Sequence, residues 1–245
     1  MKVVSVVGAR PNFVKAAPLS RRLREHFDEV IVHTGQHYDY EMNKVFFDQL
    51  HIPEPDYHLG VGSGSHAHQT GRMLIGVEDV LLKEKPDVVL VFGDTNSTLA
   101  GALAATKLHI PVAHVEAGLR SFDRRMPEEI NRVLTDHCSE LLFCPTRTAV
   151  ENLERENITR GVYLTGDVMV DALKENVRVA ERKSKILSEL ELTPKEYYLA
   201  TVHRAENTDD AVRLTSIVHA LCEIESLLLV CHPRTEKRLK LLGLW

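Results

Sequence analysis

The stretch Val88–Ser121, VVLVFGDTNSTLAGALAATKLHIPVAHVEAGLRS, decides the fold of this chain. Its first five residues are apolar and mostly β-branched, which is typical of a strand buried on both faces of a parallel sheet. Residues 95–108 are rich in Ala and Leu at helical spacing, after a Ser/Thr/Asn cluster that suits a helix start. The apolar residues 112–115 follow Pro111. The stretch therefore predicts a strand–helix–strand unit.

Two carboxylates follow the two strands of this unit. Asp94 comes after the first strand, and Glu116 comes after the second. The carboxyl ends of parallel strands form one rim, where open α/β sheets bind their ligands, so we expect both side chains to lie in one site. The structural alternative is that an Asp in this position only caps the next helix.

Length and composition are those of an ordinary globular protein with one large domain or two of modest size. The chain has 245 residues, 44% of them hydrophobic and 27% charged, with a net charge of −5. It has no basic block, which makes nucleic acid a poor candidate partner. No apolar run reaches the ~18 to 20 residues of a membrane span. The N-terminal apolar segment is too short for a signal peptide and the four cysteines stand singly, so we expect a cytoplasmic protein.

Strands and helices alternate along residues 1–166, which predicts a first domain built on a doubly wound parallel sheet. Before the central unit we predict strands at 2–7 and 30–33, helices at 12–26, 40–50 and 65–85, and an ordered loop at 51–64 near the site. After it we predict a helix at 127–138, a strand at 141–144, a helix at 146–156 and a strand at 162–164.

A second alternating set follows a helix at 167–185 and a charged connection at 188–195. It comprises strands at 197–202 and 227–231 and helices at 209–224 and 235–242, the first helix capped by Asn207. Parallel sheets are normally buried on both faces, which two helices cannot achieve. We therefore expect residues 167–245 to form an incomplete second domain.

Polar side chains also follow other predicted strands. Arg10 and Lys15 lie at the start of the first helix, where a cation and free backbone N–H groups suit a phosphate. The alternative for Lys15 is a solvated surface position. The remaining strand-end candidates are His37, His203 with its neighbour Arg204, and His232.

The helix predicted at 127–138 opens with Pro127 and two acids, Glu128 and Glu129. The helix dipole stabilises carboxylates in a first turn by ~0.3 to 1 kcal/mol and keeps them ionised. Glu128 is therefore a candidate base. First-turn acids are also common on ordinary helices, which is the alternative.

The motifs of common cofactor sites are missing. The turn GARPNF has one glycine where a dinucleotide fingerprint needs three, and the second strand ends at Thr34 rather than at an acid that could bind a ribose. The sequence contains neither a Walker motif nor HExxH. We expect no NAD, no other cofactor and no metal.

Six motifs are spread in fixed order over nearly the whole chain: GARPNFVKAAP, HTGQHYD, GDTNST, HVEAGLRS, MPEEINR and HRAEN. Together they resemble the non-hydrolysing UDP-N-acetylglucosamine 2-epimerase family. The resemblance implies an α/β fold of two Rossmann-like domains, glycosyltransferase-B-like, with the second domain truncated in this chain. It also implies a homodimer and the interconversion of UDP-N-acetylglucosamine and UDP-N-acetylmannosamine in surface-polysaccharide precursor synthesis.

The resemblance also implies which residues act. The catalytic set is Asp94, Glu116, Glu128 and His203. The substrate-binding set is Arg10, Lys15, Asp94, Glu116, His203 and Arg204, of which His203 and Arg204 contact the phosphates. His37 is added to the substrate-binding set because of its position at a strand end.

Epimerisation at C2 requires a proton to leave one face of the sugar and return to the other. That C–H bond is not acidic, so without a redox cofactor the consistent route is departure of UDP, which gives a glycal. Carboxylates can stabilise the positive transition state and move the proton, and cations can stabilise the leaving diphosphate. The alternatives are an epimerase of UDP-2,3-diacetamido-2,3-dideoxy-glucuronate, a catalytically silent truncated remnant, and a retaining glycosyltransferase of similar shape.

Overall fold

A computed structural model describes residues 1–36 and 53–245 of the chain. These residues form two compact units, residues 1–178 and residues 179–245. The helix predicted at 40–50 lies outside the described residues. The division into domains after residue 166 stays a prediction.

The first unit is built on a seven-stranded parallel sheet, which confirms the predicted α/β class. Its strands are β1 (Lys2–Val7), β2 (Asp28–His33), β3 (Tyr57–His58), β4 (Val88–Phe92), β5 (Val112–Val115), β6 (Leu141–Cys144) and β7 (Val162–Leu164). Their order in the sheet is β3-β2-β1-β4-β5-β6-β7, and every neighbouring pair is parallel. This order extends the 3-2-1-4-5-6 arrangement of doubly wound sheets by one strand.

The described helices of this part of the chain cover both faces of the sheet, and all but the last of them lie between its strands in the sequence. They are α1 (Arg10–Leu23), α2 (His66–Glu84), α3 (Asn96–Lys107), α4 (Pro127–Cys138), α5 (Arg147–Arg155) and α6 (Val168–Lys183). Alternate residues of a strand point to opposite faces, so each strand supplies two core layers. Val4 of β1 accordingly belongs to the cluster that contains Val77 of α2, whereas Val3 belongs to the cluster that contains Phe13 of α1.

The strand order reverses between β1 and β4. These strands are neighbours, but α1, which follows β1, packs on one face, and α3, which follows β4, packs on the other. After the carboxyl ends of β1 and β4 the chain therefore turns to opposite faces of the sheet, which leaves a crevice between the two connections. Doubly wound sheets bind their ligands in such a crevice.

The second unit has a small parallel sheet of its own. Strands β8 (Tyr198–Ala200) and β9 (Leu227–Leu229) pair in parallel. The helices of this part are α7 (Ile186–Glu189), α8 (Ala205–Thr208), α9 (Ala211–Cys222) and α10 (Pro233–Leu241). Leu214, Val218 and Leu239 form its buried core. Tyr198 and Leu199 on β8 are each 66% exposed, so the strand has little cover in the described residues.

Several predicted boundaries differ from the observed ones. Helix α1 begins at Arg10 rather than at residue 12, because Pro11 is accommodated in its first turn. The strands predicted at 197–202 and 227–231 are shorter, since their backbones pair over three residues only. Asp210, not Asn207, caps α9, and its side chain accepts a hydrogen bond from the Arg213 backbone N–H at 3.0 Å.

One strand was absent from the prediction. Tyr57 and His58 form β3 inside the segment expected to be a loop, and they extend the ladder of β2 beside Val32 and His33. Two residues are too few to show an alternating pattern in the sequence, so only the neighbouring strand defines this element.

None of the helices within residues 1–36 and 53–245 combines the length and apolar character needed to cross a bilayer.

Helix α5 has a side-chain cap at its N-terminus. Thr146 precedes α5, and its hydroxyl accepts a hydrogen bond from the Ala149 backbone N–H at 3.2 Å. Thr146→Ala is expected to lower the free energy of unfolding by about 1 kcal/mol, because that N–H loses its partner. Thr146→Ser is the matched control because it keeps the hydroxyl. Denaturant unfolding that gives equal stabilities for the alanine variant and the parent chain would contradict this role.

Candidate active site

Glu116 and Lys15 form an ion pair at the carboxyl ends of the strands. Glu116 follows β5, and Lys15 lies in the second turn of α1. Their side chains are only 15% and 10% exposed, and the Lys15 ammonium contacts the Glu116 carboxylate directly. A lysine is rarely buried to this degree unless it is paired. The structure thus brings together two residues that are 101 positions apart in sequence.

Gly93 makes room for this pair. A Cβ atom at residue 93 would lie 2.8 Å from Lys15 Nζ and 3.0 Å from a Glu116 carboxylate oxygen. Its φ of 64° is also in the left-handed region, which favours glycine. The end of β4 can therefore approach the pair only because residue 93 has no side chain.

Gly93→Ala is expected to lower the free energy of unfolding by at least about 1 to 2 kcal/mol, the cost of a left-handed alanine, before any displacement of Lys15 is counted. Gly71→Ala is the matched control, since Gly71 lies inside α2 and a Cβ there would meet nothing within 4 Å. That change should stabilise the helix by about 0.4 to 1 kcal/mol. Urea unfolding tests both, and equal effects would refute the close approach at Gly93.

Asp94, the next residue, pairs with Arg132 of α4. Arg132 also lies 3.3 Å from a carboxylate oxygen of Glu129. Its Nε atom is buried and has no hydrogen-bond partner among the described residues. Arg132 was not among the predicted site residues, because its contact with Asp94 joins elements 38 residues apart.

Two asparagines fix the backbone around Asp94. Asn12 Nδ2 donates to the Phe92 carbonyl at 2.8 Å, and its Oδ1 accepts from the Ala9 N–H at 3.0 Å. Asn131 Nδ2 donates to the Asp94 carbonyl at 3.0 Å. Both amides are buried. They hold the turn after β4 from two sides, and the sequence motifs gave no sign of this role.

A cavity of about 500 Å³ opens at this rim of the first unit. Asp94 and Glu128 both line it. Four amide side chains contribute to the remaining wall: Gln36, Gln69, Asn96 and Asn131. These amides are hydrogen-bonded within the wall, where Asn131 donates to Asn96 at 3.1 Å and Asn96 donates to Gln69 at 2.8 Å, so the cavity has a fixed polar lining.

The two acids of the first turn of α4 have different environments. Glu129 is 2% exposed and accepts hydrogen bonds from the backbone N–H groups of Ser121 and Phe122 at 2.9 and 3.0 Å. Burial alone would raise the pKa of Glu129, but these hydrogen bonds hold it below its ordinary value. Glu128 is exposed at the cavity. Glu129 therefore anchors a loop, and Glu128 is the acid that a ligand can reach.

Three more of the predicted residues are exposed, one in the first unit and two in the second. Arg10 is exposed at the first position of α1, between two residues that line the cavity. His203 and Arg204 are exposed in the second unit, where Arg204 lies 3.9 Å from Glu206. His37 lies outside the described residues.

His232, the last of the strand-end candidates, has a structural role. His232 precedes α10, and its Nδ1 accepts a hydrogen bond from the Arg234 backbone N–H at 3.2 Å, so it caps that helix. Across residues 1–36 and 53–245, no three His, Cys, Asp or Glu side chains are grouped as they would be to hold a metal ion.

Comparison with known proteins points to one family. A family model described as UDP-N-acetylglucosamine 2-epimerase matches residues 21–243. A UDP-N-acetylglucosamine 2-epimerase homolog of Methanococcus maripaludis is 60% identical over 98% of this chain and 68% of its own length. A UDP-2,3-diacetamido-2,3-dideoxy-D-glucuronate 2-epimerase of Pseudomonas aeruginosa is 54% identical over 100% of this chain and 70% of its own length.

The fold agrees with a solved structure of the same kind. The crystal structure of Methanocaldococcus jannaschii UDP-GlcNAc 2-epimerase in complex with UDP-GlcNAc and UDP superimposes with a TM-score of 0.88 at 50% sequence identity. The match covers 100% of this chain and 69% of that one. This chain therefore spans somewhat more than two thirds of the length of each of these relatives.

Proposed function

Because the chain belongs to the UDP-N-acetylglucosamine 2-epimerase family, we propose that it interconverts UDP-N-acetylglucosamine and UDP-N-acetylmannosamine at C2 of the sugar. The observation that carries the proposal is the pair of carboxylates after β4 and β5. Asp94 and Glu116 each contact a cation, and Asp94 shares a polar cavity with Glu128.

The reaction proceeds by elimination and re-addition. The C1–O bond breaks and UDP leaves with the electron pair, while a base removes the proton from C2 and a glycal forms. A proton then adds to the opposite face of C2, and the UDP oxygen adds back to C1. The re-addition restores the bonds that the elimination breaks, so the substrate undergoes no net oxidation or reduction. The route therefore requires neither an oxidant nor a reductant.

The residues of the first unit fit distinct parts of this route. Asp94 and Glu128 both line the cavity, which supports the proposal that they take and return the C2 proton. Glu116, held by Lys15, adds negative charge near the positive transition state. Lys15 and Arg10, near the start of α1, supply cations for the substrate.

The proposed roles of the residues outside this cavity depend on family membership and on their charge. We propose that His203 and Arg204 contact the diphosphate and that His203 takes part in catalysis, since both are exposed and able to carry positive charge. His37 is proposed to bind substrate. We further propose a homodimer that acts in the cytoplasm, with residues 1–166 as the first Rossmann-like domain and 167–245 as part of the second.

A second candidate substrate is UDP-2,3-diacetamido-2,3-dideoxy-glucuronate. It is favoured by the 54% identity to the Pseudomonas aeruginosa epimerase of that name. The two sugars differ at C3 and C6, so both can undergo the same chemistry at C2. Exchange rates measured with each of them would rank the two.

The test is solvent exchange in D2O. Incubation of the chain with UDP-N-acetylglucosamine should place deuterium at C2 of both epimers, which proton NMR and mass spectrometry detect. Transfer of the sugar to an acceptor without exchange would identify a glycosyltransferase. A folded chain that binds UDP but exchanges no proton would refute the epimerase activity and leave a ligand-binding protein.

A further inference from the structure

His114 is a buried histidine in a strand of otherwise apolar residues. It lies in β5, which pairs with β4 on one side and β6 on the other, and it is 0% exposed. A buried polar side chain is costly unless its polar atoms have partners. Both ring nitrogens of His114 do have partners, and the kind of partner fixes the charge of the ring.

Both partners are hydrogen-bond acceptors. Nδ1 lies 2.7 Å from Asp136 Oδ1, and Nε2 lies 2.7 Å from the Gly93 carbonyl oxygen. Burial alone would raise the pKa of the Asp136 carboxyl, but the hydrogen bond from His114 and the nearby Arg120 charge hold it below its ordinary value. Asp136 is therefore a carboxylate and accepts only. A neutral imidazole has a single N–H, whereas two acceptors require a ring protonated at both nitrogens.

The charges around the ring support the protonated form. Asp136 also accepts from Arg120 Nη1 at 2.6 Å, and Arg120 donates to both oxygens of Glu156 at 2.7 and 2.8 Å. Cation and anion therefore alternate from His114 to Glu156, and the four charges sum to zero only when His114 is protonated. The Cys144 thiol of β6 stays neutral nearby, since burial raises its pKa to about 11. His137 lies at the exposed edge, 3.2 Å from Glu156.

The hydrogen bonds of His114 and Asp136 also fix the backbone next to both carboxylates of the site, Asp94 and Glu116. The Gly93 carbonyl belongs to the peptide group that continues into Asp94, so the His114 ring fixes the plane of that peptide. The second oxygen of Asp136 accepts from the Gly118 N–H at 3.1 Å, two residues after Glu116. One buried ion pair thus holds the turns that carry Asp94 and Glu116.

We propose that His114, protonated at both ring nitrogens, is a positioning residue, which together with Asp136 fixes the Gly93–Asp94 peptide and so sets the position of Asp94 relative to Glu116. Its effect on catalysis rests on the proposed function, whereas its charge and its hold on the peptide do not. His114 itself acts through Asp94 and has no contact with the cavity.

The charge is tested by nitrogen NMR of the full chain labelled at histidine. Both ring nitrogens of His114 should show the chemical shifts of an imidazolium near neutral pH, because each of them faces an acceptor. The signals are assigned by their loss in His114→Gln or by contacts of the ring with the neighbouring strands. A chemical shift typical of an unprotonated ring nitrogen would overturn the proposal.

The positioning role is tested with His114→Gln, which loses the bridge between the two acceptors. We expect kcat to fall by about 10²-fold while KM changes less than about threefold, because a misplaced reacting group slows chemistry more than binding. The amide resonance of Asp94 should also move, whether or not the chain is an epimerase. His137→Gln is the control, since it removes only the exposed contact with Glu156 and should change neither value.

The two tests separate failure of this proposal from failure of the proposed function. An unmoved Asp94 amide, or a rise in KM with kcat unchanged, would show that His114 does not position Asp94. A parent chain without C2 exchange would refute the epimerase proposal while the NMR results still decide the charge and the hold on Asp94.

Discussion

Asp94→Asn is expected to reduce C2 deuterium exchange by about 10³-fold while the chain stays folded. Loss of a general base or acid typically costs 10² to 10⁴ in rate, and an amide cannot take a proton from carbon. The fold should persist because the asparagine oxygen can still accept a hydrogen bond from Arg132. Exchange is measured by NMR in D2O, with thermal unfolding as the check on folding.

Asp123→Asn is the matched control for this variant. Asp123 is also paired with an arginine, Arg125 at 2.8 Å, but its side chain is 36% exposed and it does not line the cavity. The same chemical change there should leave exchange within about twofold, as expected of a surface pair. If Asp94→Asn retained the parent rate, Asp94 would be removed from the mechanism.

The largest expected loss of stability follows from Asp136→Ala. The Asp136 side chain is fully buried and accepts hydrogen bonds from His114, Arg120 and the Gly118 N–H. Its removal leaves the buried Arg120 and His114 side chains without their shared partner, and breaking a buried pair in this way typically costs about 3 to 5 kcal/mol. Urea unfolding near neutral pH should show this loss, whereas Asp123→Ala should cost less than about 1 kcal/mol.

The pH dependence gives an independent check on Asp136. Its pKa is held below the ordinary value in the folded chain, so the stability that its carboxylate contributes is present above the unfolded pKa of about 3.9 and is lost as pH falls through the folded pKa. The difference in stability between the parent chain and Asp136→Ala should therefore shrink below about pH 4. A difference that stayed constant down to acid unfolding would show that the ionised carboxyl does not supply it.

Local patterns were sufficient to predict the framework of the first unit. The helix that starts at Pro127 and the strands β4 and β5 have the predicted bounds, because β-branched runs, prolines and helix starts are encoded within a few residues. The placement of Asp94 and Glu116 on one rim also followed, since a parallel sheet puts all its carboxyl ends on one side.

Contacts between distant residues could not be predicted in this way. Arg132 reaches Asp94 across 38 positions, and Asp136 reaches His114 across 22. Nothing in the local sequence distinguishes Glu129, which anchors a loop, from its neighbour Glu128, because the difference lies in what the fold places opposite each of them. The short strand β3 was missed for the same reason, since its identity depends on its pairing with β2.

Glu116 has a consequence for attempts to improve the heat resistance of this protein. It holds a left-handed backbone with a φ of 74°, which costs a residue with a Cβ about 1 to 2 kcal/mol. Glycine would relax the main chain but would remove the acid that Lys15 contacts. A glycine at residue 116 would thus be favoured by selection for thermal stability and disfavoured by selection for catalytic activity. Engineering effort is better directed to remote surface turns than to this position.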